Sequence, residues 1–251
     1  MSYPILEYDD DQSAIIEPHK IITPPENMPQ HAVMCFFQQA IKSVCADSPV
    51  IHTLGSEIGP NPVYLAEFDG KPVAVTHAGL GAPLAGAFLD ELIALGAKKI
   101  VACGGAGVLD KTLEVGRVII PTVAVRDEGM SYHYLPPGRE VHQDERAVSA
   151  IHTTLDAHNI PHIDGKTWTT DAIYRETRGK VTRRKAEGCI TVEMEAAAFF
   201  AVAQFRKAIF GQMLYAGDNL DSDEWDSREW IQRADVREKL LWLSMEAVLR
   251  I

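Results

Sequence analysis

The order of apolar and polar positions divides the chain into alternating strands and helices. Short apolar runs bounded by Gly, Pro or Asp recur at residues 63–68, 73–76, 100–102 and 118–125, as buried strands require. A helix fits 83–95 and is closed by Gly96. Strand, helix and strand in that order predict a right-handed βαβ crossover. In 31–44, Val33, Met34, Phe36, Phe37, Ile41 and Val44 recur at helical spacing and predict a core-facing helix. Further helices are expected at 144–158, 177–186, 193–206 and 227–249, with strands at 189–192 and 209–215. Residues 1–30 are rich in proline and acidic side chains and read as a loose arm carrying one strand near the apolar run 14–16. The alternation predicts an α/β fold, a three-layer α/β/α sandwich around a mixed, mostly parallel central sheet. One domain over 1–251 is expected, with 1–30 as arm and first strand. No internal repeat is visible.

Composition narrows the function. A chain of 251 residues, 46% hydrophobic, can bury a large core. Its formal net charge of -11 repels phosphate-rich surfaces, which argues against nucleic acid or an anionic membrane and for a small-molecule ligand. Cys35, Cys45, Cys103 and Cys189 form no CxxC pair, and no His, Cys and carboxylate cluster has ligand spacing. Reduced thiols and no metal are expected. No apolar run reaches the ~18 residues of a membrane span, and no basic segment precedes an apolar one near residue 1. A cytoplasmic protein is the expectation.

Two glycine-rich stretches follow strands: HAGLGAP at 77–83 and CGGAG at 103–107. Gly79, Gly81, Gly104 and Gly105 would let backbone N–H groups approach an anion or a sugar at the carboxyl edge of a sheet; equally, they supply positive φ for tight turns. Neither stretch completes a dinucleotide fingerprint, and no GxxxxGK[ST] loop is present. The stretch TVEMEAAAFF at 191–200 sets Glu193 and Glu195 around Met194 at the start of an apolar helix. Buried carboxylates are costly unless paired, so this is either an acidic helix cap or a ligand site. Asp218, beyond an apolar strand, reads as part of an acidic turn.

Taken in order, THAGLGAP, IVACGGAGVL, VGRVIIPTVAVRDEG, TTDAIY, VEMEAA and YAGDN resemble the purine nucleoside and uridine phosphorylase family, the trimeric or hexameric class that also contains nucleosidases. The likeness covers roughly 73–218. It implies that Glu195 holds the ribose hydroxyls, that Met194 packs on the sugar and that Glu193 supports them at the helix N-terminus. Asp218 would bond purine N7 and act as general acid. The segment with Trp168, Thr169, Thr170 and Tyr174 would bind the base; Trp168 and Tyr174 are its aromatic candidates, and each fits a core position as well. His133 would line the 5′ side of the sugar or stand on the surface. The glycines would form the anion loops. The reaction implied is ribosyl transfer from a nucleoside to inorganic phosphate, with no other cofactor. A homo-oligomer is implied too, a dimer or a hexamer built as a trimer of dimers, with Tyr3 reaching towards a neighbour.

The chain departs from the family where phosphate binds. Residues 16–30 lack the arginine of a GDPxR loop, Ala102 stands where an arginine is usual, Gly105 replaces Ser or Thr, and 45–72 contain no Arg. Either phosphate is held differently or water is the acceptor. Glu17 and Glu26 are candidates to activate water; His19, Lys20 and His31 are candidate replacement cations or ordinary surface and helix-start residues. Residues 175–178, RETR, do not match the Gln and Arg that read uracil, so the base stays open, with purine favoured by Asp218. Three readings stand: a phosphorylase, a nucleoside hydrolase, and a nucleoside-binding protein without turnover.

Overall fold

Continuous apolar runs become the middle of the sheet, because a strand covered on both faces has no polar face to show. The structure is a computed structural model that describes residues 3–222 and 224–251. In chain order the elements are α1 (Pro18–Ile21), β1 (His31–Cys35), α2 (Gln38–Val44), β2 (Val50–Leu54), β3 (Asn61–Phe68), β4 (Lys71–His77), α3 (Ala82–Ala94), β5 (Lys99–Val108) and β6 (Val118–Asp127). There follow β7 (Glu140–His142), α4 (Glu145–Ala157), β8 (His162–Thr170), α5 (Arg178–Ala186), β9 (Cys189–Glu193), α6 (Ala196–Arg206), β10 (Ile209–Asn219) and α7 (Ala234–Arg250). Short 3-10 turns lie at Met130–His133, Ile173–Arg175 and Trp230–Gln232.

The sheet is mixed. Parallel ladders join β4, β1, β5 and β10, and separately β6, β8 and β9. Antiparallel pairs add β2 and β3 at one edge and join β5 to β9 and β10 to β6. Because β10 pairs with both β5 and β6, the strands β5, β10, β6, β8 and β9 close on themselves like one end of a curled page. Side chains of β1 alternate between two cores. Ala32 and Met34 pack with Phe88 and Leu92 of α3 and Phe199 of α6, whereas Val33 and Cys35 pack with Ile41 of α2, Ile151 of α4 and Leu241 of α7. Helices therefore cover both faces, and the α/β/α layering holds.

Several sequence expectations change. The helix expected over 31–44 is β1 followed by α2: residues 32–35 are buried on both sides, a run whose spacing alone cannot tell strand from helix. No strand forms among described residues 3–30, and Ile15 and Ile16 remain exposed. The arm is instead held by Glu17, whose carboxylate lies 3.2 Å from Arg206; Arg206 also grips Asp90 at 2.7 Å, and Tyr134 donates to Asp90 at 2.8 Å. Such a network is satisfied as a unit, which is what makes buried charges tolerable. Strands β2, β7 and β8 were not expected. β8 reads HIDGKTWTT, too polar for an apolar run, yet Thr167, Thr169 and Thr170 are fully buried. The C-terminal helix begins at Ala234 rather than near 227, since Arg228 and Glu229 adopt left-handed φ values of 50° and 52° that no helix continues.

Candidate active site

The carboxyl ends of β4, β1, β5 and β10 lie on one edge of the sheet because those strands are parallel, and a cleft of about 460 Å³ opens there. Phe36 and Phe37, His77, residues 105–107, Glu193, Met194, Glu195 and Asp218 line it, together with Ile173, Glu176, Trp230 and Arg237.

Glu193 ends β9 and caps α6. One carboxylate oxygen accepts from the amides of Glu195 at 2.7 Å and Ala196 at 2.6 Å, and the other from the Thr169 hydroxyl at 2.6 Å. This capping satisfies N–H groups that the first helical turn leaves unpaired. Glu195 is 5% exposed. Its Oε1 accepts from the Gly81 amide at 2.6 Å and its Oε2 from the Met194 amide at 3.3 Å. A carboxylate offers about four acceptor positions, so Glu195 keeps capacity for further donors. Among the described residues no cation pairs with it. Burial first, and then the charge of Glu193, push the Glu195 carboxyl up from the ordinary carboxylate range.

The first glycine turn serves this carboxylate. Gly79 and Gly81 have φ values of 81° and 82°, which L side chains rarely adopt, and this bend carries the Gly81 amide to Glu195. A Cβ at Gly79 would meet Leu84 and Phe88 at 3.1 Å. The second glycine run is not a turn. Gly104 and Gly105 lie inside β5, paired to Leu214 and Tyr215 of β10. A Cβ on Gly104 would come within 2.8 Å of Phe36, and one on Gly105 within 3.0 Å of Trp230, so aromatic rings close both faces.

Asp218 owes its position to a bulge. β10 pairs regularly up to Ala216 opposite Ala106 and resumes at Asn219 opposite Val108, so one residue is extra. Gly217 lets the backbone pass, since a Cβ there would lie 3.0 Å from the Ala106 carbonyl oxygen. Asp218 then lines the cleft, its Oδ2 accepting from the Trp225 indole at 2.7 Å. Glu176, a residue the sequence reading passed over, lines the same cleft between the 3-10 turn and the Thr177 cap of α5. Burial, and then the charge of Asp218, raise its carboxyl to about 7 against the opposing pull of Lys180.

Other sequence candidates lie elsewhere. Trp168 is fully buried beneath Lys180 and Arg184, its indole donating to Asp127 at 2.9 Å, so it is a core residue and no wall of the cleft. Tyr174 is 95% exposed, and Thr170 is buried with its hydroxyl 3.3 Å from the Ala172 amide; Ile173 and Glu176 are the members of that region that reach the cleft. Thr169 acts through Glu193. His133 stands exposed at the end of its turn and is not among the lining residues. Glu17 is engaged with Arg206 in the arm, Glu26, His19 and Lys20 are exposed, and His31 opens β1 at the end away from the cleft. Tyr3 is exposed.

The profile of the phosphorylase superfamily matches residues 30–249. A guanosine phosphorylase of Halorubrum lacusprofundi is 26% identical over 180 residues, covering 72% of this chain and 73% of that enzyme. A uridine phosphorylase of Escherichia coli is 27% identical over 153 residues, covering 55% of this chain and 60% of that enzyme. Among solved structures, a purine nucleoside phosphorylase of Toxoplasma gondii in complex with immucillin-H superposes with a TM-score of 0.77 at 21% identity, over 90% of this chain and 93% of that one. An AMP nucleosidase of Bacteroides thetaiotaomicron gives a TM-score of 0.73 at 19% identity, over 90% of this chain and 89% of that one. These structural likenesses concern the fold; the profile match, spanning most of the sequence, adds the family. The chain belongs to the phosphorylase superfamily.

Proposed function

We propose that the protein cleaves the N-glycosidic bond of a nucleoside and passes the pentosyl group to phosphate. The observation that carries this reading is that Glu195, Met194 and Asp218 line a single cleft. As the bond to the base lengthens, positive charge grows on the sugar. The Glu195 carboxyl is pushed up to about 8 and is ionised above that pH. It then has acceptor capacity left and no cation among the described residues to neutralise it, and it takes hydrogen bonds from the 2′ and 3′ hydroxyls, which strengthen as positive charge grows on the sugar. Met194 packs against the ring. Asp218, when it carries a proton, donates it to the departing base, which relieves the charge that builds there and leaves Asp218 as the carboxylate.

The base lies among Ile173, Val192 and Leu220, with Glu176 and Asp218 at its edge. An ionised carboxylate only accepts hydrogen bonds, so Glu176 favours a base with adjacent N–H donors, such as a 2-amino-6-oxopurine. The name of the Halorubrum relative points the same way. This has a pH consequence. The raised Glu176 carboxyl ionises as pH rises through about 7, and the accepting form gains, so nucleoside affinity increases across that window. The folded state meanwhile loses the stability that the neutral form gave it, because the group ionises at lower pH when unfolded. Glu176→Gln is expected to lessen both trends, read as KM and thermal midpoint against pH, and to leave the share that Glu193 and Glu195, raised to about 6 and about 8, contribute. Equal slopes in the variant and the parent protein would exclude this role.

Hydrolysis is the second reading. It is favoured by the apolar side chains Phe36 and Phe37 at the exit of β1 and by the closed faces of Gly104 and Gly105. Base release measured with and without phosphate separates the two. Release that needs phosphate, with pentose 1-phosphate as product, supports transfer; release indifferent to phosphate, with free pentose, replaces it by hydrolysis. Binding without release leaves neither.

A further inference from the structure

If phosphate is a substrate, some cation must meet it, and the expected arginines are missing. Among the described residues lining the cleft, Arg237 of α7 is the one arginine or lysine. His77 does not substitute. Its Nδ1 accepts from the Gly79 amide at 3.1 Å, so its proton sits on Nε2, which is 3.2 Å from the Phe36 carbonyl oxygen. Both nitrogens are engaged, and burial lowers the pKa of the ring, which stays neutral.

Arg237 is held in a particular way. Its guanidinium carbon lies 5.0 Å from the centre of the Phe37 ring and 5.1 Å from that of Trp230. Nε donates to the Tyr215 hydroxyl at 3.1 Å, and Nη2 lies 3.4 Å from the Trp230 carbonyl oxygen. The Tyr215 hydroxyl itself donates to that carbonyl at 2.9 Å, which fixes the frame. Among the described residues, no carboxylate pairs with Arg237 and no acceptor meets Nη1. A guanidinium fixed by ring contacts and hydrogen bonds, with donors to spare and no counterion, is prepared for an oxyanion. The ring of Trp230 also packs against Gly105, so the cation stands beside the strand segment left without its polar residues.

We propose that Arg237 is the anion-holding residue of the cleft and seats a phosphate group next to Gly105, replacing from the C-terminal helix the arginines the chain lacks. The proposal rests on the reading of the cleft as a nucleoside site. The same chemistry has two sources, free inorganic phosphate or the 5′-phosphate of a nucleotide.

Calorimetric titration decides between them without turnover. Inorganic phosphate and a nucleoside 5′-monophosphate are titrated into the parent protein and into Arg237→Gln and Arg237→Lys. Loss of a charged hydrogen-bonding partner weakens binding by roughly 10- to 100-fold in Arg237→Gln, with Arg237→Lys in between. Weakening for inorganic phosphate assigns the site to the acceptor; weakening for the monophosphate alone assigns it to a nucleotide. Anion affinity unchanged in Arg237→Gln, or no binding of either anion by the parent protein, overturns the proposal. Should Arg237→Gln fail to fold, Arg237→Lys carries the test, since it keeps charge and stem but loses the planar fork; unaltered affinity there overturns it too. Nucleoside titrated in phosphate-free buffer keeps the outcomes apart: no nucleoside binding by the parent protein sinks the nucleoside reading, while the phosphate titration still judges Arg237.

Discussion

Glu195→Gln is expected to lower kcat/KM for nucleoside cleavage by roughly 10²- to 10⁴-fold, from ~1.5–3 kcal/mol for each of two charge-assisted hydrogen bonds. The side chain keeps its shape and one oxygen, so the Gly81 amide retains a partner and the fold should survive. Charge is what changes once the Glu195 carboxyl, raised to about 8, is ionised. A neutral amide still accepts from a hydroxyl, but it cannot gain as positive charge grows on the sugar, so the deficit should appear mainly in kcat. A ligand resembling the positively charged transition state should lose more affinity than a ground-state nucleoside. Comparing the two dissociation constants in parent and variant checks this. Equal losses for both ligands would mean that Glu195 merely shapes the cleft, and undiminished turnover would remove it from the mechanism.

Asp218→Asn is expected to reduce kcat by about 10²- to 10⁴-fold, the range for a positioned acid. Its side-chain carbonyl can still accept from the Trp225 indole, so the loop after β10 keeps that anchor. The loss should depend on the leaving group. A natural purine departs as a poor anion and needs help, whereas a p-nitrophenyl riboside departs readily and should be nearly spared. If both substrates slowed equally, Asp218 would be a binding residue rather than the one that assists departure. Glu176 stands close enough to feel the charge of Asp218, so removing Asp218 should also bring the Glu176 ionisation part of the way back towards the ordinary carboxylate range, burial holding the rest.

How far the sequence could be read depended on where each residue's partner lay. The apolar runs of β4, β6 and β9 announce themselves because a buried strand needs little more than its own residues. β1 reads as helix because the spacing of residues buried on both faces does not distinguish strand from helix. β8 was missed because its threonines are internal for a reason sited twenty-odd residues later: Thr169 donates to Glu193. At the cleft, the resemblance carried by VEMEAA and YAGDN singled out Glu195, Met194 and Asp218, whereas the strand end by itself reads as an acidic turn. Glu176 had no comparable signal. Between Arg175 and Thr177 it looks like any solvated turn residue, and only the 3-10 turn before α5 brings it beside Asp218. The glycines misled in the other direction, since Gly104 and Gly105 make room for aromatic rings within a strand and not for a loop.

The double pairing of β10 also governs when the cleft can exist. Lys99 at the start of β5 waits for Ile209 as its ladder partner, and Asp218 lies beyond that point again. Pairing so distant in sequence is slow to nucleate, because a long intervening loop must close before any contact rewards it. During synthesis the nascent polypeptide would therefore carry the Gly81 turn and later Glu195 well before the opposing wall arrived, exposing an unfinished sheet edge to its neighbours.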